Sequence, residues 1–205
     1  MISMARSILR FLLIFVLVLA ALTAAWTWIS SGYGWTVGTL ARPLFHWVET
    51  PDVSTVEMRG PEIWVLRDRS DGNPAPFTWF DRYAFFAVIP LVALLCASPG
   101  LGWRRRLIRV GIGIAGLLVV HVAYVVASVQ LAYAAMGLRT VGPAAARMLD
   151  VWQIAVRILW EAAPILLWIA LAGGAWKETL LRARPKNERN ASPAPVRRAE
   201  VEGSR

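Results

Sequence analysis

The sequence predicts an all-α integral membrane protein: a four-helix transmembrane bundle with a small external β-hairpin subdomain. Three observations carry that expectation. Apolar runs at residues 8–29, 83–102, 107–135 and 151–176 each hold about the 20 residues that a helix needs to cross a hydrocarbon core ~30 Å thick. Basic segments alternate with these runs on one side of the chain's path. Hydrophobic residues make up 57% of the chain, mean hydropathy is +0.51 and there are 11 Trp, more apolar surface than a soluble domain can hide. Helices are the natural spanning form, because they satisfy their own backbone hydrogen bonds where lipid cannot.

Charge sets the orientation. Arg6 and Arg10 precede the first run; Arg104, Arg105, Arg106 and Arg109 lie between the second and third; Lys177, Arg182, Arg184, Lys186 and Arg189 follow the fourth. In a four-span protein these zones share one side, and the positive-inside rule makes it cytoplasmic. Residues 30–82 hold five Arg against seven acids, a balance of −2, and belong outside. Arg139 and Arg147 in the second outer loop run mildly against the rule. The net charge of +9 is the topological signal plus attraction to anionic headgroups; nucleic acid is not an expected partner, and membrane lipids are.

Residues 1–29 read as a signal-anchor helix. The start is basic and small residues stand at 23–25, as in a cleaved signal, but the apolar core continues through Trp26 and Ile29. Residues 30–82 read as a periplasmic segment with short strands. Val37, Leu40, Ala41, Leu44, Phe45 and Val48 recur at helical spacing, which suits a short helix lying on the membrane, broken or begun at Pro43. Residues 53–59 and 62–67 are strand-like around Gly60-Pro61. Residues 68–76 read as a polar loop, and 77–80 as a third short strand. An isolated hairpin is marginal in water, so it is expected to rest on the membrane or a partner.

Residues 83–182 form the three-helix membrane portion. Pro90, near the middle of its run, predicts a kink. Gly111 with Ala115 and Ala123 with Ala127 put small residues four apart, a pattern for close helix packing. Pro164 predicts a bend in the last helix. Trp35, Trp103, Trp152 and Trp176 suit the headgroup layers as anchors. Residues 183–205 read as a disordered cytoplasmic tail, where the acceptor triplet Asn190-Ala-Ser192 is discounted.

Few residues point to chemistry. Gly111-Ile-Gly-Ile-Ala-Gly116 matches G-x-G-x-x-G, yet lies inside an apolar run with no acidic residue about 20 positions on, so these glycines read as packing sites rather than a dinucleotide loop. Cys96 is the only cysteine, which excludes an internal disulfide. A Cys96–His121 thiol catalyst is opposed by a vertical offset of about 10 Å at 1.5 Å per residue. His121, Tyr124 and Ser128 share one helix face and suggest inter-helix hydrogen bonds or a binding site. Arg147, Asp150, Gln153, Arg157 and Glu161 form a polar stripe, an amphipathic helix entry or a contact to another membrane protein. No metal-ligand cluster is evident, and no cofactor is expected.

Several stretches then carry a likeness: Tyr83-Ala-Phe-Phe-Ala-Val-Ile-Pro90-Leu91, Ser98-Pro-Gly-Leu-Gly-Trp103-Arg-Arg-Arg-Leu107 and Ala163-Pro164-Ile-Leu-Leu-Trp168. In this order, after an anchor-like first helix and an external strand segment, the chain resembles the exosortase H-associated membrane protein family over most of residues 8–182. The resemblance implies a non-enzymatic accessory in the bacterial inner (cytoplasmic) membrane, multi-pass with both termini cytoplasmic. Such a protein acts by contact with an exosortase, a membrane cysteine transpeptidase-like sorting enzyme, or with that enzyme's substrates. No catalytic residue is carried over. The candidate contact residues are His121, Tyr124, Ser128, Arg157 and Glu161. Cys96, the Arg run and His121 faintly echo exosortases themselves, but the Ala-Cys-Ser-Gly context and the Asn-x-x-Arg pattern are missing. A thiol enzyme using Cys96 and a small transporter or channel subunit are the alternative readings.

Overall fold

The computed structural model describes residues 2–49, 54–68, 74–136 and 142–183. The expected tail beyond Ala183, with Asn190-Ala-Ser192, lies outside the described residues, as do Arg139 and most of the expected 68–76 loop. The order is α1 (Ile2–Val48), β1 (Ser54–Arg59), β2 (Glu62–Asp68), β3 (Pro74–Phe80), one 3-10 turn (Arg82–Phe85), α2 (Val88–Ala97), α3 (Trp103–Ala135) and α4 (Pro143–Ala183). Among the described residues, three helices are long and apolar enough to cross a membrane, through 5–48, 103–135 and 154–177.

The fourth expected span is corrected. α2 has only 10 residues, about 15 Å at 1.5 Å per residue, too short to cross a hydrocarbon core alone. The cause is Pro90. It lacks an N–H and is tolerated in a first helical turn, so the helix starts around it instead of kinking there. Phe85, Val88, Ile89, Leu91 and Leu95 are buried, and α2 packs on α1, α3 and α4. It is an inner element walled by the longer helices.

α1 is the second correction. It does not end near Ile29 but continues for 47 residues, through Pro43, leaving no separate short helix lying flat. Its reason lies in the face formed by Ser30, Gly34, Val37, Gly38, Ala41 and Phe45, all buried. The spacing is helical, and the small members admit the hairpin. A Cβ on Gly34 would stand 3.3 Å from the Pro61 carbonyl oxygen, and one on Gly38 would run into the Met58 side chain. The hairpin thus rests on its own first helix.

The sheet is antiparallel in the order β1-β2-β3, so the expected hairpin gains a full third strand. Arg59 pairs with Glu62 across Gly60-Pro61. Gly60 has φ +62°, the left-handed value that the first central position of a type II′ turn demands and glycine supplies cheaply. Val56 pairs with Val65 and Met58 with Ile63 on the side packed against Val37, Ala41 and Phe45. Pro74 and Pro76 weaken the strand signal in sequence but are tolerated on an edge strand. The pairing shifts register between Val65 and Leu66.

α3 and α4 run antiparallel. Gly113 faces Leu171, Leu95 and Leu91, and Gly116 faces Leu167. The packing glycines are therefore these two. Gly111 has nothing within 4 Å of its Cβ position, and Ala115 and Ala123 are exposed. α4 begins at Pro143, where a fixed φ starts a helix, and carries Pro164 within it. Phe11 packs on Trp168 and Trp176, so the start of α1 and the end of α4 lie together, opposite the sheet.

Candidate functional site

A cleft of about 600 Å³ opens where β3, α3 and α4 meet, within the size range of small-ligand sites. Three elements build it. α3 contributes Tyr124, Ala127, Ser128, Leu131, Ala132 and Ala135; α4 contributes Trp152, Val156, Arg157 and Trp160; the chain from Thr78 to Asp81, with Ala84, closes the third side.

Its floor is aromatic. The Tyr124 ring lies flat on Trp160, centroids 4.9 Å apart and planes at 11°, and meets Phe80 edge to face at 6.0 Å. Such pairs are favourable beyond their buried area. The Trp160 indole N–H donates to the Ala84 carbonyl at 3.1 Å, tying α4 to the turn after the sheet. Trp79 and Trp152, 60% and 58% exposed, stand at the rim. Trp79 stacks on Trp64 at 5.7 Å, and Arg59 lies over Trp64.

The polar groups differ in how far they are committed. Asp81 already accepts the Tyr83 and Ala84 N–H groups at 2.8 and 3.1 Å, so it caps the 3-10 turn. Arg157 donates to Glu161 at 3.3 Å, but both side chains are well exposed, and such pairs hold little energy. Arg157 is therefore readily exchanged onto an incoming acceptor.

The predicted residues divide. Tyr124, Ser128, Arg157 and Trp152 come together in the cleft, with Glu161 held to Arg157. His121 does not join them. It is fully buried; its Nδ1 and the Tyr33 hydroxyl are 2.9 Å apart, and Phe85 lies at 5.3 Å. That is the inter-helix hydrogen bond its sequence context suggested, made to α1, and its Nε2 has no partner. Cys96 is a half-buried free thiol, not bonded to His121. Arg147 is exposed; the side chains of Asp150 and Gln153 lie outside the described ones. Trp35 and Trp103 are exposed. Trp176 instead packs edge to face on Phe11 at 5.0 Å.

Sequence reasoning missed a second polar cluster. Glu49, just past α1, is buried. It accepts from the Ser54 N–H at 2.8 Å, the Ser54 hydroxyl at 2.7 Å and the Gln130 amide at 2.8 Å. Ser54 also meets the Tyr133 hydroxyl at 2.7 Å, and Phe77 packs on Tyr133 at 4.3 Å. The cluster locks α1, β1 and α3 together. In sequence Glu49 is one more acid of the outer segment, and no local signal marks it.

No family model, curated protein or solved structure matches the chain.

Proposed function

We propose that the protein is an integral protein of the bacterial inner membrane that works without catalysis, as an accessory of an exosortase-type sorting system. It docks the sorting enzyme or its substrate at the Tyr124–Trp160 cleft. The carrying observation is the cleft: an aromatic floor, exposed tryptophans at the rim and one loosely held arginine, where the sheet meets the bundle. These are the features of a docking hollow. β3 is an edge strand of its sheet, and an edge strand accepts an extended segment by main-chain pairing. The wording of residues 83–107 and 163–168 directs the reading to the exosortase system.

Membrane insertion is supported by what the helices leave uncovered. None of the most apolar window of α1 is buried, and Leu9, Leu13 and Leu17 are widely exposed. α2, though short, carries the chain from the sheet end back to the arginine end. Both termini then lie on one side, which the positive-inside rule makes cytoplasmic. A periplasm-dependent reporter inserted at Gly60-Pro61 is expected to be active, and one fused after Arg205 silent; the reverse pattern overturns the topology.

Crosslinking and co-purification from native membranes test the function. An exosortase-class enzyme or a protein with a C-terminal sorting helix is expected with the wild-type chain. Trp160→Ala should reduce its recovery at least several-fold. Recovery of the chain alone, or undiminished capture by the variant, overturns the proposal.

A further inference from the structure

The bundle end opposite the sheet collects cationic side chains that leave some of their hydrogen-bond donors unpaired. We propose that this end binds the phosphodiester headgroup of an anionic lipid between α3 and α4. The inference rests on membrane insertion, and is independent of the sorting partner proposed above.

Arg106 Nε, Arg109 Nη1 and Trp176 Nε1 are shielded from solvent without a hydrogen-bond partner. All three groups only donate, and two are cationic, so the missing partner is an acceptor and preferably an anion. Buried donors left unpaired are rare and costly.

The three share one level. Leu167 faces Gly116 and Leu171 faces Gly113. Continuing that antiparallel pairing by four residues sets Ala175, the neighbour of Trp176, level with Arg109, and Trp176 packs on Trp168, whose indole N–H donates to the same Ser98 whose carbonyl Arg106 holds. Thr179 and Ala175 lie against Gly100, at 3.1 and 3.6 Å from its Cβ position, which places this stretch of α4 at the turn before α3. Arg106 and Arg109 are three apart on one helix face. Arg106 Nη2 donates to the Ser98 carbonyl at 3.2 Å, which holds the guanidinium with its Nε unspent. Phe11 closes the α1 side by packing on Trp176.

The surroundings are positive. Arg6, Arg10, Arg104, Arg105 and Lys177 are exposed at this end; α4 also carries Glu178 here, whose side chain lies outside the described ones, and the acidic side chains that are described belong to the sheet end or to the outer half of α4. A phosphodiester offers two charged oxygens, which suit guanidinium forks and an indole N–H. Exposed Ile108 and Ile112 give an acyl chain an apolar wall next to Arg109. The shared chemistry is a phosphate oxyanion; the adjoining apolar wall favours a lipid over free phosphate.

The test uses the full chain extracted in mild detergent, with native mass spectrometry after adding phosphatidylglycerol, phosphatidylethanolamine or inorganic phosphate. Phosphatidylglycerol is expected to be retained at least ten-fold more than phosphatidylethanolamine. Arg106→Gln with Arg109→Gln should remove that preference, while Arg6→Gln with Arg10→Gln keeps it. Trp176→Phe, which deletes only one donor, should weaken retention several-fold and covers the case of a double variant that fails to fold. Equal retention of both lipids, or an unchanged preference in the Arg106/Arg109 and Trp176 variants, overturns the site. Binding of inorganic phosphate alone overturns the lipid assignment. A chain that stays monodisperse without detergent overturns membrane insertion itself, and this site with it.

Discussion

Glu49→Ala is expected to lower the melting temperature of the detergent-solubilised protein more than any other single side-chain truncation at the sheet end. The carboxylate accepts from the Ser54 N–H, the Ser54 hydroxyl and Gln130. Removing it takes the carboxylate away from three donors, two of them on buried Ser54. Hydrogen bonds to charged groups contribute about 1.5–3 kcal/mol each and are not additive, so a net loss of about 3 kcal/mol is the reasonable scale. The damage should also be local in kind, because the same residue joins α1 to β1 and α3. Amide exchange across β1 and β2 should rise before that of α2. Glu49→Gln keeps the shape and one acceptor oxygen, and should lose roughly half as much. An Ala variant that melts with the wild type removes the cluster from any account of how the sheet is held.

Gly113→Leu is the second large effect, and its control reverses the sign. A Cβ at 113 would lie 3.0 Å from Leu95 and 3.4 Å from both Leu171 and Leu91. Two helices converge on that glycine, so a larger side chain must force them apart. Overpacking of this kind costs about 1–3 kcal/mol. Gly111→Leu, two residues earlier, meets open space and removes a helix glycine that disfavours the helix by about 0.8–1 kcal/mol. The 113 variant should therefore melt well below the wild type, and the 111 variant at or above it. Equal behaviour of the two would disprove the facing of α3.

The contrast explains what was readable in the chain. α1, α3 and α4 were legible because long apolar runs leave lipid-length helices few alternatives. The β1–β2 hairpin was legible because Gly60-Pro61 stands between two strand-like runs. The glycine repeat marked α3 as a packing helix, but periodicity alone favoured Gly111 with Ala115 over Gly113 with Gly116. Which face turns inward is fixed by neighbours distant in sequence.

Other misses share that cause. Glycine and tryptophan at 32–38 look like the end of a helix, whereas Gly34 and Gly38 are small so that the hairpin can seat on a continuing one. Pro90 in an apolar run looks like a kink, while it opens a short helix. Pro74 and Pro76 hide half of β3, since an edge strand has one side free of ladder bonds. In the cleft, Tyr124, Ser128 and Arg157 were singled out by spacing. Trp79, Phe80 and Trp160 entered only through the fold. The Tyr33–His121 contact spans 88 residues and is set by tertiary packing.

The unbroken first helix has a mechanical consequence. Its 47 residues span about 70 Å at 1.5 Å per residue, more than twice a ~30 Å hydrocarbon core. The stretch beyond residue 29 is a stiff lever about 28 Å long, with the sheet clamped to it. Bilayers of different thickness change the inclination of long helices. Tyr33 on His121 and Glu49 on Gln130 tie that lever to α3, so any change of inclination must carry the sheet and the adjoining ends of α1 and α3 together as one body.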